Sequence, residues 1–92
     1  MTETSINYAK ALYELSVPEE AVLETEKIFR STPQLKGALE NPLVSLKEKE
    51  HVIDRVFPQE MKNFLKVTCK YQKISSIYDI LETYGDYSRK QK

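Results

Sequence analysis

Few residues in this chain are of the kind that do chemistry, and their spacing decides what they are for. His51 is the one histidine, in the run Glu48-Lys49-Glu50-His51. A histidine near carboxylates suggests a metal, but a metal site needs three or four ligands held together. The competing reading is a solvated or half-buried helix histidine. Cys69, also single, would be a nucleophile only with a base beside it. Its helical neighbours are Leu65 and Lys73, with Met61 two turns back, so it reads as a small core residue. Glu19 and Glu20 are adjacent, and adjacent helical residues diverge rather than act as a pair. The two glycines stand apart at 37 and 85, so there is no glycine-rich phosphate loop. No catalytic, cofactor-binding or metal-binding set emerges, and no cofactor is expected.

Lys62, Lys66, Lys70 and Lys73 make a basic stripe at spacings of 4, 4 and 3. A lipid or RNA partner would suit such a stripe. No aromatic residues interleave it for stacking, and the 14 basic residues are matched by 14 acidic ones. A solvated outer helix face accounts for it. The same neutrality argues against a helix-turn-helix module on DNA, which needs a basic excess.

The elements that position these residues are helices. The 92 residues suffice for one small domain. With 40% hydrophobic and 30% charged residues, the chain is neither a disordered tail nor membrane-embedded. No apolar run approaches the roughly 20 residues that span a bilayer. Met1-Thr2-Glu3-Thr4 lacks the basic and apolar regions of a secretory signal. One cysteine forms no internal disulfide, and a soluble, cytosolic chain is expected.

Apolar residues recur at helical spacing almost throughout, and no stretch alternates as a strand would. Pro18, Pro33 and Pro58 each open a helix-forming segment, and Asn41-Pro42 is a break. The pattern predicts helices over about 4–15, 18–31, 33–40, 45–57 and 58–72, with a sixth beginning at Ser75 or Ser76. Thr32 is expected to cap the third helix, and Ser45 with Glu48 to form a capping box on the fourth. The sixth carries Ile77, Ile80, Leu81 and Tyr84 on one face, and Gly85 weakens or ends it. The expected fold is an all-α, single-domain six-helix bundle.

Two of these helices are apolar too far round. At 100° per residue, Ile6, Tyr8, Ala9, Ala11, Leu12, Tyr13 and Leu15 cover roughly 220° of the first helix. Only Asn7, Lys10 and Glu14 mark its wet side. On the fifth, Met61, Phe64, Leu65, Val67, Thr68, Cys69 and Tyr71 span roughly 200°. Either both helices are simply central, or each carries a second apolar stripe and the two stripes form a groove for an amphipathic helix of another protein. The wheel alone leaves both readings open.

A family resemblance separates them. Asn7-Tyr8-Ala9-Lys10-Ala11-Leu12-Tyr13-Glu14-Leu15 closely resembles the opening of the ATP synthase δ subunits, whose mitochondrial counterpart is the oligomycin-sensitivity-conferring protein. Pro33-Gln34-Leu35-Lys36 with Leu39-Glu40-Asn41-Pro42 resembles the family's P-x-L-x-x-x-L-x-x-P stretch. Val44-Ser45-Leu46-Lys47-Glu48-Lys49 resembles the start of its fourth helix. Asn63-Phe64-Leu65, then Ile74, Ile77, Ile80 and Tyr84, resemble its fifth and sixth helices.

The resemblance implies a non-catalytic N-terminal domain of the proton-translocating ATP synthase, peripheral on the cytoplasmic side of the bacterial membrane. Such a domain receives the N-terminal helix of an α subunit on the catalytic head and helps link the head to the peripheral stalk, or stator. Carried over residue by residue, the docking set is Tyr8, Ala11, Leu12 and Leu15 with Asn63, Phe64, Val67 and Tyr71. Family members run to nearly twice this length, and their C-terminal domain contacts the stalk b subunit. Residues 1–92 therefore correspond to the N-terminal domain, without that contact. The alternative is an unrelated helical adaptor that binds an amphipathic helix of some other protein.

Overall fold

The computed structural model describes residues 2–90. It holds α1 (Glu3–Glu14), α2 (Glu19–Ser31), α3 (Pro33–Glu40), α4 (Leu46–Val56), α5 (Gln59–Lys70) and α6 (Ile77–Lys90). A 3-10 turn, Ile74–Ser76, runs directly into α6, and there is no strand among the described residues. The architecture is the all-α six-helix bundle that the periodicity predicts.

Local chemistry sets most of the helix starts. Thr2 Oγ1 accepts from the Ser5 amide at 3.1 Å, which moves the start of α1 to Glu3. Pro18 and Pro58 precede α2 and α5 in extended conformation, and Glu19, Glu20 and Glu60 lie in first turns, where the helix dipole favours acids. Ser45 Oγ accepts from the Glu48 amide at 3.2 Å at the head of α4. That is half of the expected capping box. Among the described residues, the return bond to the Glu48 carboxylate is not made.

Three expectations need correction. The Thr32 side chain makes no capping bond. Pro33 at the first helical position fixes the start of α3 instead, and the Leu35 amide bonds the Thr32 carbonyl at 3.0 Å. Ser75 and Ser76 lie inside the 3-10 turn rather than capping α6 from outside. Gly85 does not end α6, which continues to Lys90. Past Gly85 the helix still buries Ser88, and α6 makes its most extensive packing against α1. Tertiary packing there overrides a weak local helix former.

The core draws on every element. Leu12, Phe29, Leu39, Ile53, Met61, Leu65, Ile74, Ile77 and Ile80 are all essentially fully buried. The Phe29 ring packs tilted against Phe57, centroids 4.9 Å apart, and meets Tyr78 edge-on, and the Tyr78 hydroxyl donates to the Phe29 carbonyl at 3.1 Å. That bond fastens the end of α2 to α6. The buried hydroxyls of Thr25 and Thr68 return to carbonyls of their own helices, so neither costs an unmet hydrogen bond. The main pairings are α1 on α6 and α4 on α5. The backbones of α1 and α5 approach each other closely at few points.

A candidate docking trough between the first and fifth helices

Because α1 is committed to α6 and α5 to α4, the space between α1 and α5 is left unfilled. The two helices meet through side chains: the Tyr8 and Phe64 rings touch edge to face, with centroids 6.2 Å apart and planes at 78°. Around this contact lies an open trough of about 530 Å³. Tyr8, Ala11, Glu14 and Leu15 line it from α1 and its C-cap, and Asn63, Phe64 and Val67 from α5.

Six of the eight residues named from the sequence thus share one surface. Leu15 is 60% exposed and Val67 45%, and Ala11 is exposed as well. Ala11 contributes only a methyl group, which leaves room for another chain. Further round the same wheel, Met61 and Leu65 are fully buried. The wide apolar arcs are therefore divided between a core stripe and a stripe facing solvent.

Two residues depart from the expected set. Leu12 is fully buried and belongs to the core, so it supports the trough without lining it. Its position on the wheel is central to the apolar arc, where the arc alone does not distinguish core from groove. Tyr71 is 58% exposed at the C-cap of α5, beyond the lining side chains. It remains near enough to act on Tyr8, whose phenol is pushed upward by burial first and by Tyr71 second. Glu14 joins the lining although its charge marked the wet side of the helix; it follows Ala11 by three residues, which is one face.

The other chemical candidates take separate places. His51 is exposed in a shallow depression with Lys47, Glu48 and Val52. No group of three or more His, Cys, Asp or Glu among the described residues is arranged to hold a metal. Cys69 is buried, and burial pushes its thiol up to about 11, against a smaller downward pull from Lys49. A thiol so placed stays protonated and is a poor nucleophile. The lysine stripe is not uniform. Lys66 bridges to Asp54 of α4 at 2.8 Å and, by that hydrogen bond, holds the carboxyl below its usual range. Lys70 lies 5.6 Å from the centre of the Tyr71 ring. No helix among the described residues is long and apolar enough to cross a membrane.

The family model described as ATP synthase delta (OSCP) subunit matches residues 5–92. The chain is 31% identical over 96 residues to ATP synthase subunit delta of Clostridioides difficile (strain 630), covering 91% of this chain and 53% of that protein. It is 27% identical over 95 residues to the subunit delta of Natranaerobius thermophilus, covering 92% and 53%. With that of Prochlorococcus marinus (strain MIT 9301) it shares 28% over 93 residues, covering 89% and 52%. The chain spans about half the length of the curated relatives it matches. No solved structure gives a match.

Proposed function

As this chain belongs to the ATP synthase delta (OSCP) subunit family, we propose that its α1–α5 trough receives the N-terminal helix of an ATP synthase α subunit and so helps tie the catalytic head to the peripheral stalk. The domain performs no reaction. It works as a preformed seat for one amphipathic helix, on the cytoplasmic, peripheral side of the complex. Residues 1–92 act as an N-terminal domain, and contact with the stalk b subunit belongs to a C-terminal domain of the family and to none of these residues.

The observation that carries this reading is the solvent-facing apolar stripe on two neighbouring helices whose own partners lie elsewhere. Fully burying a side chain such as Leu or Val stabilises by about 1.5–3 kcal/mol. Leu15 and Val67 already lie more than two-fifths exposed, so an incoming helix gains much of that from each. The Tyr8–Phe64 edge contact holds both rings in place before binding, which lowers the ordering cost. Glu14 and Asn63 are the polar side chains of the lining and set the orientation of the guest. Glu14 favours a basic residue opposite it.

The direct test is a titration of the chain with a synthetic α-subunit N-terminal peptide, followed by residue-resolved NMR. The reading expects saturable shifts at Tyr8, Ala11, Leu15, Asn63, Phe64 and Val67. Shifts centred on another surface, or none, overturn it.

A further inference from the structure

We propose that the open pocket between α3, α4, the end of α5 and the 3-10 turn binds a small oxyanion of the inorganic-phosphate class, with the Lys49 ammonium as its central donor. The pocket holds about 280 Å³ and shares no residue with the trough. The inference therefore stands independently of the docking reading.

Lys49 is the unusual residue. It is only 8% exposed and lies among the side chains lining the pocket. A lysine packed in this way normally gives its ammonium a partner. Among the described residues no hydrogen bond or ion pair reaches it. Its Nζ remains open to solvent, since among the described residues no fully enclosed side-chain nitrogen or oxygen lacks a partner. Its three N–H donors are therefore free to meet a guest arriving from solvent.

The surroundings favour an anion over a cation or a neutral guest. Glu40 is the one carboxylate in the lining, and Lys36 on α3 already pairs with it. Glu50 acts on the Cys69 thiol but lies outside the lining. The Cys69 thiol stays protonated, so it offers no counter-charge. Gln72 and Ser75 add an amide and a hydroxyl from two further elements. Leu39 contributes an apolar wall, which strengthens each polar contact.

Gln72 supports the reading in a second way. It sits at φ 56° in the left-handed region, just past α5. There the Gln72 amide bonds the Cys69 carbonyl and the Lys73 amide bonds the Thr68 carbonyl, a paired cap that glycine makes with least strain. A glutamine in this place keeps the strain and gives the pocket an amide.

The test uses the chain in phosphate-free buffer at constant ionic strength, adjusted with chloride. Inorganic phosphate and glycerol phosphate are titrated separately by NMR. Saturable shifts at Lys49, Gln72 and Ser75 with a Kd of about a millimolar or tighter support the site. Stronger binding of glycerol phosphate assigns it to a phosphorylated small molecule, and equal or stronger binding of the free ion assigns it to phosphate itself. Lys49→Met should weaken binding about tenfold or more. If that variant does not fold, Gln72→Gly, which eases the cap, should still weaken binding several-fold. Absence of saturation, or shifts confined to the exposed Lys70 and Lys73, overturns the proposal.

Discussion

The Ser5 hydroxyl in the first turn of α1 donates to the Asp79 carboxylate in the first turn of α6, joining residues 74 positions apart. Ser5 is fully buried and also accepts from Thr2 Oγ1 at 3.0 Å. Thr2, Ser5 and Asp79 thus form a short chain that pins α1 to α6 at one end. The bond from Ser5 is the main reason the Asp79 carboxyl titrates below its ordinary value of 3.8.

This relationship makes stability depend on acid in a defined direction. A carboxyl whose value is lowered by folding contributes fully above its unfolded value and loses that contribution as pH falls through its folded value. Ser5→Ala should therefore be less stable than the parent at neutral pH. The gap should hold down to about pH 4 and narrow below it as Asp79 takes a proton. Urea melts of both proteins across that range check it; a gap that does not change with pH contradicts the role given to Asp79.

Ser45→Ala should lower stability by about 1 kcal/mol, the usual cost of losing a side-chain N-cap. Since the return half of the capping box is not formed, Glu48→Gln should cost much less. Neither residue lines the trough, so peptide affinity should stay unchanged in both. Chemical denaturation beside calorimetry separates the two effects, and a matched loss of affinity in folded Ser45→Ala would argue against the placing of the trough.

The Gly85 expectation shows where sequence and structure part. Prolines and the serine at position 45 announce helix starts through their own local chemistry, and those starts fall within a residue or so of their expected places. The ends of the first five helices fall within two residues of their expected places, although the left-handed positions after α1 and α5 belong to Ser16 and Gln72 rather than to a glycine. Gly85 instead lies inside α6, where an added Cβ would rest 3.7 Å from Arg89 Nη1, an ordinary contact. Gly85→Ala should consequently raise stability by about 0.5–1 kcal/mol. Gly37→Ala should do the same, since its Cβ meets open space. Thermal melts decide, and a loss of stability in Gly85→Ala would restore Gly85 as a helix stop.

The trough was legible for a related reason. Apolar arcs wider than one buried face mark both α1 and α5, and six of the eight named positions share a surface. Leu12 was not separable from its neighbours, because a wheel gives direction around one helix and says nothing of which neighbour lies there. The Ser5–Asp79 bond and the unpaired Lys49 left no trace in the sequence. Each depends on a tertiary approach that no local pattern encodes.

Ala11→Asp is the sharpest single test of how the trough works. Ala11 is exposed at the trough surface, so the substitution puts a carboxylate in water in the free domain. Aspartate forms helix less readily than alanine, by about 0.7 kcal/mol at most, which the bundle should tolerate. In the proposed complex the same carboxylate, three residues from Glu14, would face the apolar side of the docked helix without a partner. Desolvating it there costs several kcal/mol, and affinity for the α-subunit peptide should fall at least about a hundredfold. Met61→Ala provides the opposite pattern: Met61 is fully buried and off the trough, so stability should drop by about 2–5 kcal/mol while affinity of the folded fraction is retained. Circular-dichroism melts run beside calorimetric titrations read both quantities. Should Ala11→Asp melt the domain, Ala11 is a core residue and the trough is closed in solution. Should it fold and bind as the parent does, the helix docks on another face.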